Sequence, residues 1–271
     1  SVGTSSMNVN FGQLNNKGLD LSLSAQIIRN KDWFWSVTLT GGHVMDQIRK
    51  ISEGLKNDID NPYDSSKPKI LFVEGGSQYD IYAMRSAGID PATGKEIFIK
   101  KNGEYTFKYD ENERVAVGNT NPILQGSLMN TLRYKGFSIS VATSYTFGSD
   151  YYNSTLKNKV ENIDLNYNVD RRVFTDRWKQ PGDHTRFLGI GTSSSSNQYS
   201  ERFVEKRNEL YISSIQVMYD FAPKAITRLG LRKLAIGFGL SDIAHISTVK
   251  FERGTEYPYC RGINLIFRPT F

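Results

Sequence analysis

The feature that most constrains this chain is a two-residue rhythm. Apolar and polar side chains alternate through segments of roughly ten residues, as in strands with one apolar and one wet face. In residues 18–28, Leu19, Leu21, Leu23, Ala25 and Ile27 alternate with Asp20, Ser22, Ser24 and Gln26. In 33–41, Trp33, Trp35, Val37 and Leu39 alternate with Phe34, Ser36, Thr38 and Thr40. Residues 123–134 repeat the pattern with Leu124, Gly126, Leu128, Leu132 and Tyr134. In 137–147, Phe137, Ile139, Val141, Tyr145 and Phe147 stand opposite Ser138, Ser140, Ser144 and Thr146. Residues 210–221 carry Tyr211, Ile215, Val217, Tyr219 and Phe221, and 231–242 carry Leu234, Ile236, Phe238 and Leu240. The last segment, 259–271, has Ile263, Leu265, Phe267, Pro269 and Phe271 in phase.

This gives about seven strands, and the lengths of their connections alternate. Short connections lie at 29–32, 135–136 and 222–230, and long ones at 46–122, 148–208 and 243–258. Connections beyond about 15 residues are uncommon in compact soluble domains. Short turns at one strand end, long loops at the other and apolar/polar alternation together predict a transmembrane antiparallel β-barrel. Strands of this length suit a tilted crossing of the hydrocarbon layer. Alternation alone does not say which way the apolar face points, so a soluble carbohydrate-binding β-sandwich is the competing fold.

The strand count adds a further expectation. Seven strands leave two unpaired edges, which lipid does not tolerate, and barrels of this type have an even number of strands. An odd number of strands is therefore expected upstream, and the whole of 1–271 reads as the C-terminal part of a larger barrel. The opening SVGTSSMNVNFG has neither a basic nor an apolar leader region, in keeping with a segment of something longer.

Composition narrows the function classes. No apolar run approaches the roughly 18 residues of a spanning helix. The single Cys260 excludes an internal disulfide framework and a cysteine zinc site, and His43, His184 and His245 lie far apart. The formal charge is +6, but Lys and Arg are scattered among nearly as many acids, so no nucleic-acid partner is expected. Gly189-x-Gly191 is followed by Thr-Ser-Ser and is no phosphate-binding fingerprint. No spacing requires a catalytic dyad or triad, so we expect no enzyme, no catalytic residue and no cofactor.

Several short motifs resemble one family in order along the chain. Asn16-Lys17-Gly18-Leu19-Asp20-Leu21 resembles the "N-[KR]-G-hydrophobic-[ED]-hydrophobic" strand opening of SusC/RagA-type TonB-dependent transporters. Tyr79–Tyr82 and Ala87-Gly88-Ile89-Asp90-Pro91-Ala92-Thr93-Gly94 resemble a long-loop segment of that family, and Val117-Gly118-Asn119-Thr120-Asn121-Pro122 its next hairpin. Arg177-Trp178-Lys179-Gln180-Pro181-Gly182-Asp183 is similar to its "R-W-x-x-P-G-D" loop, and Arg202-Phe203-Val204-Glu205 to a strand approach. Tyr257-Pro258 and Arg261 lead into a closing strand that ends in Phe271. The entry Asn208-Glu209-Leu210-Tyr211-Ile212 departs from the family's "S-Y-L-R-L". Ile263, Leu265, Phe267 and Phe271 resemble the terminal signal read by the outer-membrane assembly machinery.

The resemblance implies a 22-stranded barrel of which these are the last seven strands, in the bacterial outer membrane. It implies TonB-dependent import of glycans or peptides with a SusD-like surface lipoprotein as partner. A passive porin or adhesin barrel is the alternative function. Candidate ligand or lid contacts are Tyr151, Tyr152, Arg177, Trp178 and Asp183. Aromatic rings stack on sugars and Arg–carboxylate pairs orient polar ligands. Against this, Pro181-Gly182 with an internal Arg–Asp pair would make the same motif a locked turn. Asp164, Asn166, Asn168 and Asp170 alternate oxygen side chains in the manner of a calcium loop. Val169 and Thr175 stand where such a loop needs Gly and Glu, so a solvated Asx-rich turn is the expectation.

Overall fold

The computed structural model describes residues 12–52, 72–164, 166–192, 198–227, 230–252 and 260–271. In chain order its strands are β1 (Gly12–Arg29), β2 (Trp33–Ile51), β3 (Asp80–Ala83), β4 (Arg85–Ile89), β5 (Glu96–Ile99) and β6 (Tyr105–Thr106). Then come β7 (Val115–Asn119), β8 (Leu124–Tyr134), β9 (Phe137–Tyr152), β10 (Val204–Asp220), β11 (Lys233–Ser247) and β12 (Gly262–Thr270). Seven form one up-and-down antiparallel sheet in the order β1-β2-β8-β9-β10-β11-β12, as the alternation predicts. The others make a two-stranded β3-β7 sheet and a three-stranded β4-β5-β6 sheet. Tyr257-Pro258 and the expected strand start at 259 lie outside the described residues.

The chain divides into two compact units. One, the sheet unit, is Gly18–Val44, Pro122–Ser149 and Lys206–Phe271. The other, the connection unit, is Ser1–Lys17, Met45–Asn121 and Asp150–Glu205.

In the sheet unit the predicted apolar row is not a core. Leu19 is 75% exposed and Leu265 is 82% exposed. Leu21, Leu23, Ile263 and Phe267 are exposed with them. Burying one such side chain is worth about 1.5–3 kcal/mol. A sandwich would need a second layer over this row, and no described residue supplies one. Register is pinned by the turns. Asn30 Oδ1 accepts the amides of Asp32 (3.1 Å) and Trp33 (2.7 Å), closing the β1–β2 turn. Lys135, with φ 52°, makes the tight β8–β9 turn.

A cross-strand row fixes the middle of this sheet. Gly41 lies opposite Gly126, which lies opposite Tyr145. The Tyr145 ring spans both glycines, and its hydroxyl donates to the Thr40 carbonyl at 2.7 Å. A Cβ on Gly126 would come within 1.9 Å of that carbonyl oxygen. Glycine is needed there for close approach.

The sequence places strand boundaries too tightly. β1 begins at Gly12, β2 continues to Ile51, β9 to Tyr152 and β11 to Ser247, while β10 begins at Val204. These extensions are rich in polar residues, because ladder hydrogen bonding does not need an apolar face. The connections 46–122 and 148–208 are likewise no simple loops. Together they hold the buried core of Ala83, Met84, Phe98, Val160, Val173 and Phe203.

Replacing Gly126 by Ala should lower stability by about 1–3 kcal/mol through overpacking. Gly239→Ala should be nearly neutral, since a Cβ there meets Asn264 at an ordinary 3.7 Å. Urea unfolding of the full-length protein in detergent micelles measures both. Equal midpoints would remove the Tyr145–glycine row as a register lock.

Candidate functional site

Long connections on rigid strands are where such a fold can vary its chemistry. Three polar nodes hold the connection unit. The first joins β2, β3, β7 and β9. Asp46 takes the Ser77 hydroxyl (2.5 Å) and the Gln78 amide (2.7 Å). Asp80 accepts from the Ser77 amide (2.8 Å) and from Asn119 Nδ2 (2.8 Å). Asp150 accepts the Asn119 amide at 2.9 Å. A side chain at Gly118 would strike Asp150 at 2.9 Å, which explains the glycine of the Val117–Pro122 motif.

The second node interlocks two of the motifs. Trp178 lies on Gly94, whose φ is +69° and where a Cβ would fall 2.4 Å from the indole. Its Nε1 donates to the Pro91 carbonyl at 2.9 Å, and the Gly182 amide donates to the same oxygen at 2.9 Å. Arg177 is 3% exposed. It donates to the carbonyls of Leu188 (2.7 Å), Gly189 (2.8 Å) and Val160 (3.1 Å). Asp183 does not pair with it. Asp183 Oδ2 instead accepts the amides of Lys179 (3.0 Å) and Gln180 (3.1 Å). The expected internal Arg–Asp pair is thus replaced by two separate backbone staples.

The third node is ionic and buried. Arg202 donates from Nη2 to Glu96 at 2.7 Å and from Nη1 to Glu161 at 2.9 Å. Ser200 donates its hydroxyl to Glu96, and Glu161 also accepts the Leu188 amide at 2.8 Å. Burial, the largest influence, opposes the charge on Arg202. The bonds to Glu96 and the fields of both carboxylates outweigh it, and its pKa is pushed up. The cation lies 5.0 Å over the Phe203 ring. That ring belongs to the apolar cluster of Leu156, Val160, Phe187 and Phe203. Lys157 caps this region, donating to the Gln198 carbonyl with its ammonium 5.2 Å over Tyr199. Burial lowers its pKa to about 8, although Glu161 and Glu96 act the other way.

The structure therefore sorts the sequence candidates. Arg177, Trp178 and Asp183 are bonded into the scaffold. Tyr152 packs against Tyr199 (5.7 Å) and Phe203 (6.3 Å), and burial pushes its phenol pKa up. Tyr151 is half-buried at the end of β9. Ile263, Leu265, Phe267 and Phe271 stand exposed in and beyond β12.

Exposed aromatics that the sequence reading passed over are Tyr105, Phe107, Tyr167 and Phe174. They follow no period, and the only available signal was a large ring amid polar residues. Tyr167 belongs to an open groove of ≈ 500 Å³, lined by amides, by Lys159, Asp164 and Asp170, and by Ile163 and Val169. Asp170 is forked onto Arg172 at 2.9 and 2.7 Å, which holds its carboxyl well below the usual range. Asp164 turns onto the amide (2.9 Å) and Nδ2 (2.7 Å) of Asn166. Among the described residues no three His, Cys, Asp or Glu side chains gather as a metal site.

No protein-family model matches the chain. The TonB-dependent receptor P39 of Formosa agariphila is 23% identical over 287 residues, covering 89% of this chain and 27% of that protein. The TonB-dependent receptor P3 of the same organism is 25% identical over 173 residues, covering 57% of this chain and 17% of that protein. Among solved structures, the RagAB peptide transporter matches with a TM-score of 0.70 at 19% identity. The match covers 89% of this chain and 26% of that one. The RagAB peptide importer in its "open-open" state gives 0.70 at 20% identity. The chain spans about a quarter of the length of these proteins. The likenesses bear out the resemblance read from the motifs: the chain is similar to TonB-dependent receptors, and its sheet has the fold of a RagA barrel portion.

Two outcomes follow from the ionic node. Arg202→Met should destabilise the connection unit by about 3–5 kcal/mol, because it strands two buried carboxylates. Adding Glu96→Gln and Glu161→Gln should recover part of the loss. Protease protection of residues 72–205 in the full-length protein reads both, and full protection in Arg202→Met would dismiss the node. Lys157 gives a pH dependence. Its folded pKa lies below the ordinary 10.5, so between about pH 8 and 10.5 the unfolded chain holds more protons. Its burial penalty is complete below that window and vanishes through it, so stability should rise with pH there. Lys157→Met should flatten the rise, and an unchanged pH profile would contradict this.

Proposed function

We propose that residues 1–271 are the C-terminal part of the barrel of a bacterial outer-membrane transporter. It imports glycans or peptides in a TonB-dependent manner with a SusD-like surface lipoprotein. One observation carries this reading. The antiparallel sheet exposes its apolar phase, in a chain similar to a TonB-dependent receptor over 89% of its length. Such a sheet needs lipid on one face and closure by further strands. The RagAB neighbour is a peptide transporter, which favours active import over a passive porin or adhesin.

On this reading the connection unit faces the outside and meets lid and ligand. The contacts then fall on the exposed rings Tyr105 and Phe107 and on the groove around Tyr167, with Tyr151 a further, half-buried candidate. Trp178, Arg177 and Tyr152 act through the shape they hold. Ile263, Leu265, Phe267 and Phe271 serve as the assembly signal. Amide and charged side chains beside an exposed ring suit a polyhydroxyl or peptide ligand.

Uptake of the native nutrient by cells expressing the full-length protein tests this. Deleting TonB should abolish uptake. Tyr167→Ala should weaken it at least about tenfold if the ring anchors ligand, equivalent to about 1.4 kcal/mol. Phe34→Leu, in the sheet unit, should leave it unchanged. Uptake that persists without TonB would favour the porin. Undiminished uptake in Tyr167→Ala would move the contact elsewhere.

A further inference from the structure

The short-turn rim of the sheet unit brings cations and aromatic rings together. Arg29 and Lys31 bracket the β1–β2 turn, Lys135 forms the β8–β9 turn, and Lys224 and Arg232 lie between β10 and β11. All five are exposed. The acids beside them are Asp32 and Asp220, and among the described residues neither pairs with any of the five. Backbone bonds stitch the rim, so the charges have fixed seats. The Lys135 amide donates to Asp32, the Asp220 amide to Gly136 and the Arg232 amide to Thr270, each at 2.8 Å.

An aromatic row runs along the same rim. Trp33 packs on Tyr134 with centroids 4.2 Å apart, Phe137 on Tyr219 at 4.5 Å, and Tyr219 on Phe221 at 4.9 Å. The apolar phase of the strands begins directly beyond these rings, exposed at Ile27, Ile139 and Ile236 and buried at Leu234. Arg29 and Arg232 continue that phase, two residues from Ile27 and Leu234. Arg133, Lys233 and Arg268 have the opposite phase and take no part.

We propose that this rim binds the phosphate groups of an anionic glycerophospholipid leaflet. The order from strand middle to turn is apolar side chains, then rings, then cations. It matches the order of hydrocarbon, headgroup boundary and phosphate in a bilayer. Basic residues at a membrane surface are drawn to anionic headgroups over about a Debye length. An acidic protein would meet these charges only by also covering the apolar band, whereas a leaflet satisfies both at once. The proposal rests on the transporter reading, which turns the short connections toward the periplasmic leaflet and its phospholipids.

The test uses the full-length protein in phosphatidylcholine vesicles doped with phosphatidylglycerol. Lipids that stay bound after mild extraction are counted by native mass spectrometry. The wild type should retain phosphatidylglycerol over phosphatidylcholine by about fivefold or more, and added salt should reduce the preference. Replacing all five cations by Gln should bring it to parity, while Arg29→Lys with Arg232→Lys should keep it. The gel shift of a folded barrel on heating confirms that each variant is assembled. If the five-site variant does not assemble, Lys135→Gln with Lys224→Gln, both outside the strands, should still at least halve the enrichment. Wild type without enrichment, or enrichment kept after the Gln changes, overturns the proposal. So does selective retention of lipid A, or of polyglutamate, in place of phosphatidylglycerol. Failure to insert into any vesicle would defeat the membrane reading itself; insertion without enrichment defeats only this inference.

Discussion

The connection unit depends on one guanidinium. Arg202 holds Glu96 and Glu161 at 2.7 and 2.9 Å, and those carboxylates come from the two separate long connections. Paired ions in a low-dielectric interior are costly to separate, because each survivor is left without water. The Ser200 hydroxyl and the Leu188 amide fill further acceptor positions on the acids. Around this pair the apolar cluster of Leu156, Val160, Phe187 and Phe203 closes. The long connections thereby become a folded body on which exposed rings have fixed positions.

The sheet unit obeys a different constraint. Its strands satisfy their backbone groups through ladders, and many of its apolar side chains stay exposed. Hydrocarbon supplies what a core supplies elsewhere. The glycines at 41 and 126 let the Tyr145 hydroxyl reach Thr40 across β8, which adds to the register that the turns set.

The sheet was legible in the sequence because alternation reports where one face of a strand is apolar. Leu19 to Ile27 carries that signal undiluted, and Ile263 to Phe267 carries it with Ile266 as the one apolar residue in the other phase. It fades where strands continue beyond the apolar layer, so β2 past Gly41 and β9 past Phe147 were invisible while their hydrogen bonding went on. The motifs of the long connections were legible as motifs, but their role was not. Arg177, Trp178 and Asp183 are conspicuous because each makes several fixed bonds, which marks scaffold as readily as it marks a site. Tyr105, Phe107, Tyr167 and Phe174 are exposed and make no pattern, and nothing in a sequence alone separates such rings from buried ones. In the sequence Arg202 stands out only as part of a strand approach, since its two acids lie 106 and 41 residues away.

That separation has a bearing on how the protein comes into being. Met84 donates its amide to the Tyr199 carbonyl at 2.9 Å and is fully buried, and Glu96 waits for Arg202. A chain made from its N-terminus forward has no partner for either until residues about a hundred positions later exist. Through that interval the first long connection carries an unneutralised acid and an open apolar surface. The unit closes only once that late segment exists, so a nascent or truncated chain ending before Tyr199 would present this surface to chaperones and proteases.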